Sequence, residues 1–124
     1  MCVYAVKTNK QGGVIRFKAR LVARGDRQRV SVDFFDTFAP VARMASFRLF
    51  VALSALLTLE IDSCDVNTAY INADLQIPQY VNRIQCHVND SSKAFIVRKA
   101  LYGLRQAGRA WNTEFDLFLQ AQDF

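Results

Sequence analysis

The residues best suited to do chemistry lie in Ile61-Asp-Ser-Cys-Asp65-Val-Asn-Thr-Ala-Tyr70-Ile-Asn-Ala-Asp74. The spacing predicts a short strand over 60–66 with Asp65 near its end, then a turn or single helical turn over 67–76 that carries Tyr70. A carboxylate at a strand end offers a hard oxygen to a divalent cation, and an aromatic ring close by walls one side of whatever the cation holds. Asp62 stands three residues before Asp65, so in a strand the two side chains face opposite ways and make no paired site. Alone, the pattern is weak. A single strand aspartate is more often a cap or an ion-pair partner, and Tyr70 reads equally as a core tyrosine with its hydroxyl at the surface.

Cations supply the other half of such chemistry, and they are unevenly spread. The net charge is +5, yet residues 1–30 hold eight Lys and Arg against Asp26, while the remainder holds eight against ten acids. The segments 2–6 and 14–23, rich in β-branched and aromatic residues, flank Gln11-Gly-Gly13 and predict a hairpin with a glycine turn. In its second strand Phe17, Ala19, Leu21 and Ala23 point one way, and Lys18, Arg20 and Arg24 the other. A basic arm on a near-neutral body suits a polyanion, either nucleic acid or a nucleotide triphosphate. A solvated basic hairpin, its edge guarded by cations against aggregation, accounts for the same charges.

The elements that must position these residues follow in order. Residues 30–41 form an irregular, phenylalanine-rich connection stopped by Pro40. A helix is expected from Ser46, as N-cap, to Leu59. Its apolar residues cover nearly every face (Phe47, Leu49, Phe50, Val51, Leu53, Leu56, Leu57), which places it inside a larger body. A strand pair, 80–84 with 95–97, surrounds the polar loop Asn89-Asp-Ser-Ser92, and residues 103–108 form a loop. Trp111, Phe115, Phe118 and Leu119 then recur at helical spacing on a final amphipathic helix. There is no internal repeat, low-complexity tract or linker.

With 124 residues, 52% hydrophobic and 22% charged, the chain is one domain at most and is not of disordered composition. Its three cysteines have no CxxC spacing, so neither a disulfide framework nor a zinc site is indicated. Lys7 and Lys10 interrupt any secretory signal. The longest apolar stretch, Leu49 to Leu59, has 11 residues and falls short of the roughly 18 that a membrane span needs. An intracellular protein of cytoplasm or nucleus, without membrane contact, is expected.

Around the Asp65 segment stand three further blocks: Phe17-Lys-Ala-Arg-Leu-Val-Ala-Arg-Gly25, Asp36-Thr-Phe-Ala-Pro-Val41 and Ala100-Leu-Tyr-Gly-Leu-Arg-Gln106, followed by Trp111. In that order and at those distances, the chain from about Val3 onward resembles the reverse transcriptase of copia-type (Pseudoviridae) retrotransposons. The resemblance implies an α+β fold, the fingers and partial palm of a right-hand polymerase. Residues 1–43 would form a fingers-like β-ribbon and connection, and 44–124 a partial palm with further fingers. It implies an RNA-directed DNA polymerase, a nucleotidyltransferase using two Mg²⁺ ions. Its partners would be an RNA template, a DNA primer, deoxynucleotide triphosphates and the rest of a polyprotein.

Carried over residue by residue, Asp65 is a catalytic metal ligand and Val66 offers its backbone carbonyl. Tyr70 excludes a 2′-hydroxyl, where relatives often have Phe, and Lys18 with Arg20 grips the triphosphate. Spacing does not decide which of Lys18, Arg20 and Arg24 makes that contact. Tyr102 and Gly103 flank the nucleotide pocket. Three departures stand out: Ala107-Gly108 replaces a usual Ser-Pro, Asp26 an aromatic, and Cys86-His87 a Gly-Phe pair. His87 has no partner at ligand spacing. No Tyr-Val-Asp-Asp motif occurs, so a truncated polymerase domain that is inactive alone is expected. The alternatives are a non-catalytic basic nucleic-acid-binding module and a transposon relic that does not fold.

Overall fold

The computed structural model describes residues 1–81 and 93–123. Its first element is the expected hairpin, β1 (Cys2–Thr8) against antiparallel β2 (Val14–Leu21). Alternation of valine, phenylalanine and cationic residues suits a ribbon with two unlike faces. The Asn9 side chain closes the turn by accepting from the backbone N–H groups of Gln11 (3.0 Å) and Gly13 (2.7 Å), while Gly12 adopts φ +83°. The second strand stops at Leu21, short of the expected Ala23. Arg24 therefore lies beyond the strand and does not join the row of cations set by its pleat.

A turn over Gly25–Arg27 leads through an irregular stretch, pinned by Phe34, to helix α1 (Met44–Leu56). The helix starts two residues ahead of Ser46. Arg43 occupies the N-cap with extended backbone and no side-chain cap, and its carbonyl accepts from Phe47 N. At the other end Thr58 turns left-handed (φ 54°), and Leu59 N reaches back to Ser54 O at 2.9 Å, the bond that ends many helices. The expected burial of α1 is corrected. Ser54 is its one buried residue, while Phe47, Leu49, Phe50 and Leu53 stay exposed because no other described element packs along it.

The strand expected over 60–66 is also corrected: that segment is exposed, irregular chain. A strand persists only when a neighbour satisfies its backbone groups, and no described strand pairs with this segment, whose Asp62, Ser63 and Asp65 favour turns. A 3-10 turn, Ala69–Asn72, then carries Tyr70, as expected of a single helical turn. The second sheet is β3 (Asp74–Val81) against antiparallel β4 (Phe95–Lys99). It begins six residues earlier than expected, while Ile84, Cys86, His87 and the loop Asn89–Ser92 lie outside the described residues. Helix α2 (Ala107–Gln120) starts inside the stretch expected as loop, with Gln106 at its N-cap.

The core is small and made largely of small residues. Ala73, Leu75, Ala100, Leu104 and Ala107 are buried where the 3-10 turn, the start of β3, the end of β4 and the foot of α2 meet, with Tyr70 and Trp111 packed on them. Alanines at 73, 100 and 107 let three backbones approach closely, which fixes the floor beneath Tyr70. The architecture is α+β, with two α-helices and two separate two-stranded sheets among the described residues. No described helix is long and apolar enough to cross a membrane. Amide hydrogen exchange is expected to be slowest at Ala73, Leu75 and Ala100 and fast throughout α1; protection of α1 matching those core amides would contradict this division. Leu104→Ala is expected to destabilise the fold by about 2–4 kcal/mol in denaturant melts.

Candidate functional site

Lys7, Arg16, Lys18 and Arg20 share one face of the β-ribbon, because Lys7 pairs with Arg16, Ala5 with Lys18 and Val3 with Arg20 across the strands. Tyr4, Val6, Phe17 and Ala19 occupy the other face. Crowding by like charges is felt at Lys18, which is half-buried. Arg20 most strongly, then partial burial, Lys7 and Arg16 hold its ammonium below the usual 10.5, while the Asp65 carboxylate pulls it back up. Asp65 is exposed and lies within electrostatic reach of Lys18. Between the lowered value and 10.5 the unfolded chain keeps a proton that the fold has lost. Stability from this group therefore rises with pH across that window, and the repulsion acts in full below it.

Arg20 reaches a second group. Its guanidinium carbon stands 5.7 Å from the centroid of the Tyr102 ring, and that ring lies 4.5 Å from Tyr70 with a tilt of 39°. Residues from three of the sequence blocks thus come together: Lys18 with Arg20, Tyr102, and Asp65 with Tyr70. Val66 is exposed next to Asp65. Arg24 stands apart, in a surface pair with Asp26 at 2.6 Å. Its hydrogen bond to Asp26 raises the guanidinium and lowers the carboxyl, so Asp26 contributes whatever stability it has above 3.8 and loses it as pH falls through the lowered value. Replacement of the usual aromatic by Asp26 has given Arg24 a local partner.

Gly103 and Gly25 seat the ribbon on the body. Ala23 N donates to Tyr102 O at 2.8 Å. Gly103 has φ +91°, and a Cβ there would strike Ala23 O, while a Cβ at Gly25 would strike Gly103 O. Two glycines facing each other permit this approach, which no larger residue allows without backbone movement. Gly103 therefore acts in the closeness of the two chain segments.

The residues present fit one arm of a divalent-cation site, a carboxylate with an adjacent backbone carbonyl, and not a two-ion centre. Among the described residues no three His, Cys, Asp or Glu side chains gather to hold a metal ion. The surface is open: two cavities, of about 150 and 630 Å³, are lined by none of Lys18, Arg20, Asp65, Tyr70 or Tyr102. The smaller, polar one lies at the foot of α2 beside Asp36, Asp74 and Arg109. The electrostatic and ring contacts locate the candidate site better than concavity does.

A group of residues that spacing did not indicate lies behind the site. Gln28 Nε2 donates to Gln79 Oε1 (2.9 Å) and Gln106 Oε1 (3.0 Å), and Gln28 Oε1 accepts from the backbone N–H of Arg105 (2.9 Å). The Arg105 side chain donates through Nε to Gly25 O at 2.9 Å and lies over the Phe34 ring. No periodicity marks these amides, because their partners are far apart in sequence.

The ribbon thus bears four cations on one face, near a carboxylate and a pair of tyrosines. The model of the family described as "Reverse transcriptase (RNA-dependent DNA polymerase)" matches residues 1–124, and the chain belongs to that family, in its copia-type retrotransposon branch. It is 36% identical over 127 residues to the Retrovirus-related Pol polyprotein from transposon TNT 1-94 of Nicotiana tabacum, covering 99% of this chain and 10% of that one. It is 34% identical over 124 residues to the corresponding polyprotein of transposon RE2 from Arabidopsis thaliana, covering 98% and 8%. A truncated transposon Ty1-A Gag-Pol polyprotein of Saccharomyces cerevisiae is 34% identical over 107 residues, covering 85% and 9%. The chain thus spans a tenth or less of these relatives' length. No solved structure matches it.

Gly103→Ala forces a side chain into the Ala23 carbonyl at a left-handed position, so a loss of about 1–3 kcal/mol is expected in denaturant melts. Gly12→Ala, also left-handed but in open space, is expected to lose less; equal losses would mean that the close approach at Gly103 is unimportant.

Proposed function

We propose that this chain is the nucleotide-gripping part of an RNA-directed DNA polymerase from a copia-type retrotransposon polyprotein. Residues 1–43 act as fingers-like ribbon and connection, and 44–124 as partial palm with further fingers. The reading rests on one observation above all: residues from three separated blocks come together, with Lys18 within electrostatic reach of Asp65 and Arg20 over Tyr102 against Tyr70. Lys18 and Arg20 neutralise the triphosphate of an incoming deoxynucleotide. Tyr70 screens the sugar, and Tyr102 with the Gly103 backbone bounds the pocket. Asp65 and the Val66 carbonyl contribute oxygens to magnesium. The intact enzyme would extend a primer 3′-hydroxyl on an RNA template.

Alone, the chain binds nucleotide without joining it. Two-ion phosphoryl transfer needs several carboxylates around the ions, and Asp65 is a single one. Primer extension by the 124-residue chain with Mg²⁺ or Mn²⁺ is therefore expected to match a no-protein control. Calorimetric titration with a deoxynucleotide triphosphate and Mg²⁺ is expected to detect binding that Lys18→Ala weakens about tenfold. Extension above the control would overturn the inactivity, and an unaltered affinity in Lys18→Ala would overturn the grip.

The four-cation face also favours a second reading, a basic module that holds nucleic acid without chemistry. That reading calls for single-stranded RNA or DNA binding that weakens steeply with salt, by a log–log slope of about 0.7 per neutralised phosphate, and no preference for triphosphates. Competition between a triphosphate and an oligonucleotide separates the two.

A further inference from the structure

We propose that Gln28 is a positioning residue that sets the tilt of the β-ribbon against the body, and so the distance between the ribbon cations and the tyrosine pair. The proposal rests on the nucleotide-site reading above and names a residue that does not touch the ligand. The ribbon pairs with no strand of the second sheet, so nothing in the β ladders fixes its angle. Its angle is instead set at its root, in the chain from Ala23 to Gln28. There Ala23 bonds Tyr102 O, Gly25 packs on Gly103, and Arg105 Nε holds Gly25 O. Gln28 links these contacts to the rest of the fold.

Its amide is satisfied on both ends. The nitrogen serves Gln79 and Gln106, and the oxygen takes the Arg105 N–H. The other two glutamines are anchored in turn: Gln79 Nε2 donates to Asp33 O (2.8 Å) and Ile77 O (3.0 Å), and Gln106 Nε2 to Asp33 O (3.2 Å). Gln79 is only 7% exposed, although it sits on β3 among apolar neighbours. Ordering three long side chains is entropically unfavourable, and satisfied buried amides add only modest net stability. What such a network does well is specify one arrangement, because a shifted neighbour leaves a polar group unpaired. The arrangement specified here is the ribbon root relative to β3 and to the loop carrying Tyr102.

A ligand that touches both surfaces at once feels that angle, and one that touches only the ribbon does not. The probes are deoxythymidine triphosphate and inorganic tripolyphosphate, each without divalent cation so that tripolyphosphate meets the ribbon alone, titrated calorimetrically into the full chain and its Gln28→Met variant. Methionine keeps the length and removes the hydrogen bonds. The nucleotide is expected to bind about tenfold more weakly, since the second of two simultaneous contacts is lost, while tripolyphosphate stays within about twofold. Lys18→Ala weakens both ligands. Equal weakening of the two by Gln28→Met, or no change in either, would overturn the positioning role. Where Gln28→Met unfolds at the assay temperature, Gln106→Met, which removes two bonds from the same knot, is held to the same comparison. A wild-type chain that binds neither probe would remove the nucleotide-site reading and the positioning role with it. Wild-type binding with an unchanged ratio in the variants would remove the positioning role alone.

Discussion

Close approach of the backbone at Gly25 to that at Gly103, with the Ala23–Tyr102 hydrogen bond beside it, is the contact on which the arrangement turns. The β-ribbon carries the cations, the body carries the tyrosines, and the two sheets share no ladder. Without that root contact, Arg20 would not stand over Tyr102, and Lys18 would not feel Asp65. Both glycines are needed because either Cβ would fall on a carbonyl oxygen. Steric permission comes from the glycines, and direction comes from the glutamine amides behind them.

The rest of the molecule is lightly held. Among the described residues the buried cluster is a patch of three alanines and two leucines under Tyr70, Phe34 is buried apart from it, and no large side chain is fully buried. Helix α1 exposes phenylalanines and leucines that a settled core would cover, and the apolar face of the ribbon exposes Val6 and Phe17. Burial of about 25 cal/mol per Å² is the main force available to a fold, and much of this chain's apolar area contributes none of it. Tyr70 therefore lies on the best-packed part of the structure, while α1 is the part most open to change.

Local patterning made some of this legible and not the rest. Period-two alternation with Gly12-Gly13 gave away the ribbon, and Trp111 with Phe115 gave away α2, because both signals are local. Residues 60–66 look like a strand by composition but have no neighbour to pair with. The faces of α1 look like core by hydropathy, yet nothing described covers them. The row of Lys18 and Arg20 followed from the pleat, whereas Arg24 dropped out of it because the strand ends at Leu21. Proximity of Asp65 to that row came from resemblance alone, as no spacing rule reaches across 47 residues. Gln28, Gln79 and Gln106 escaped notice because each amide is meaningful only once the chain has brought partners 51 and 78 residues away beside it.

Whether the acid at 65 truly faces the cations is best tested at Lys18 itself. Its titration can be followed by NMR at the ε-carbon in the wild type and in Asp65→Asn. Lys18 should titrate below 10.5 in the wild type, and lower still in the variant, because the one neighbour that holds its proton has been neutralised. An unchanged or higher value in Asp65→Asn would place the carboxylate away from the ribbon and contradict the site.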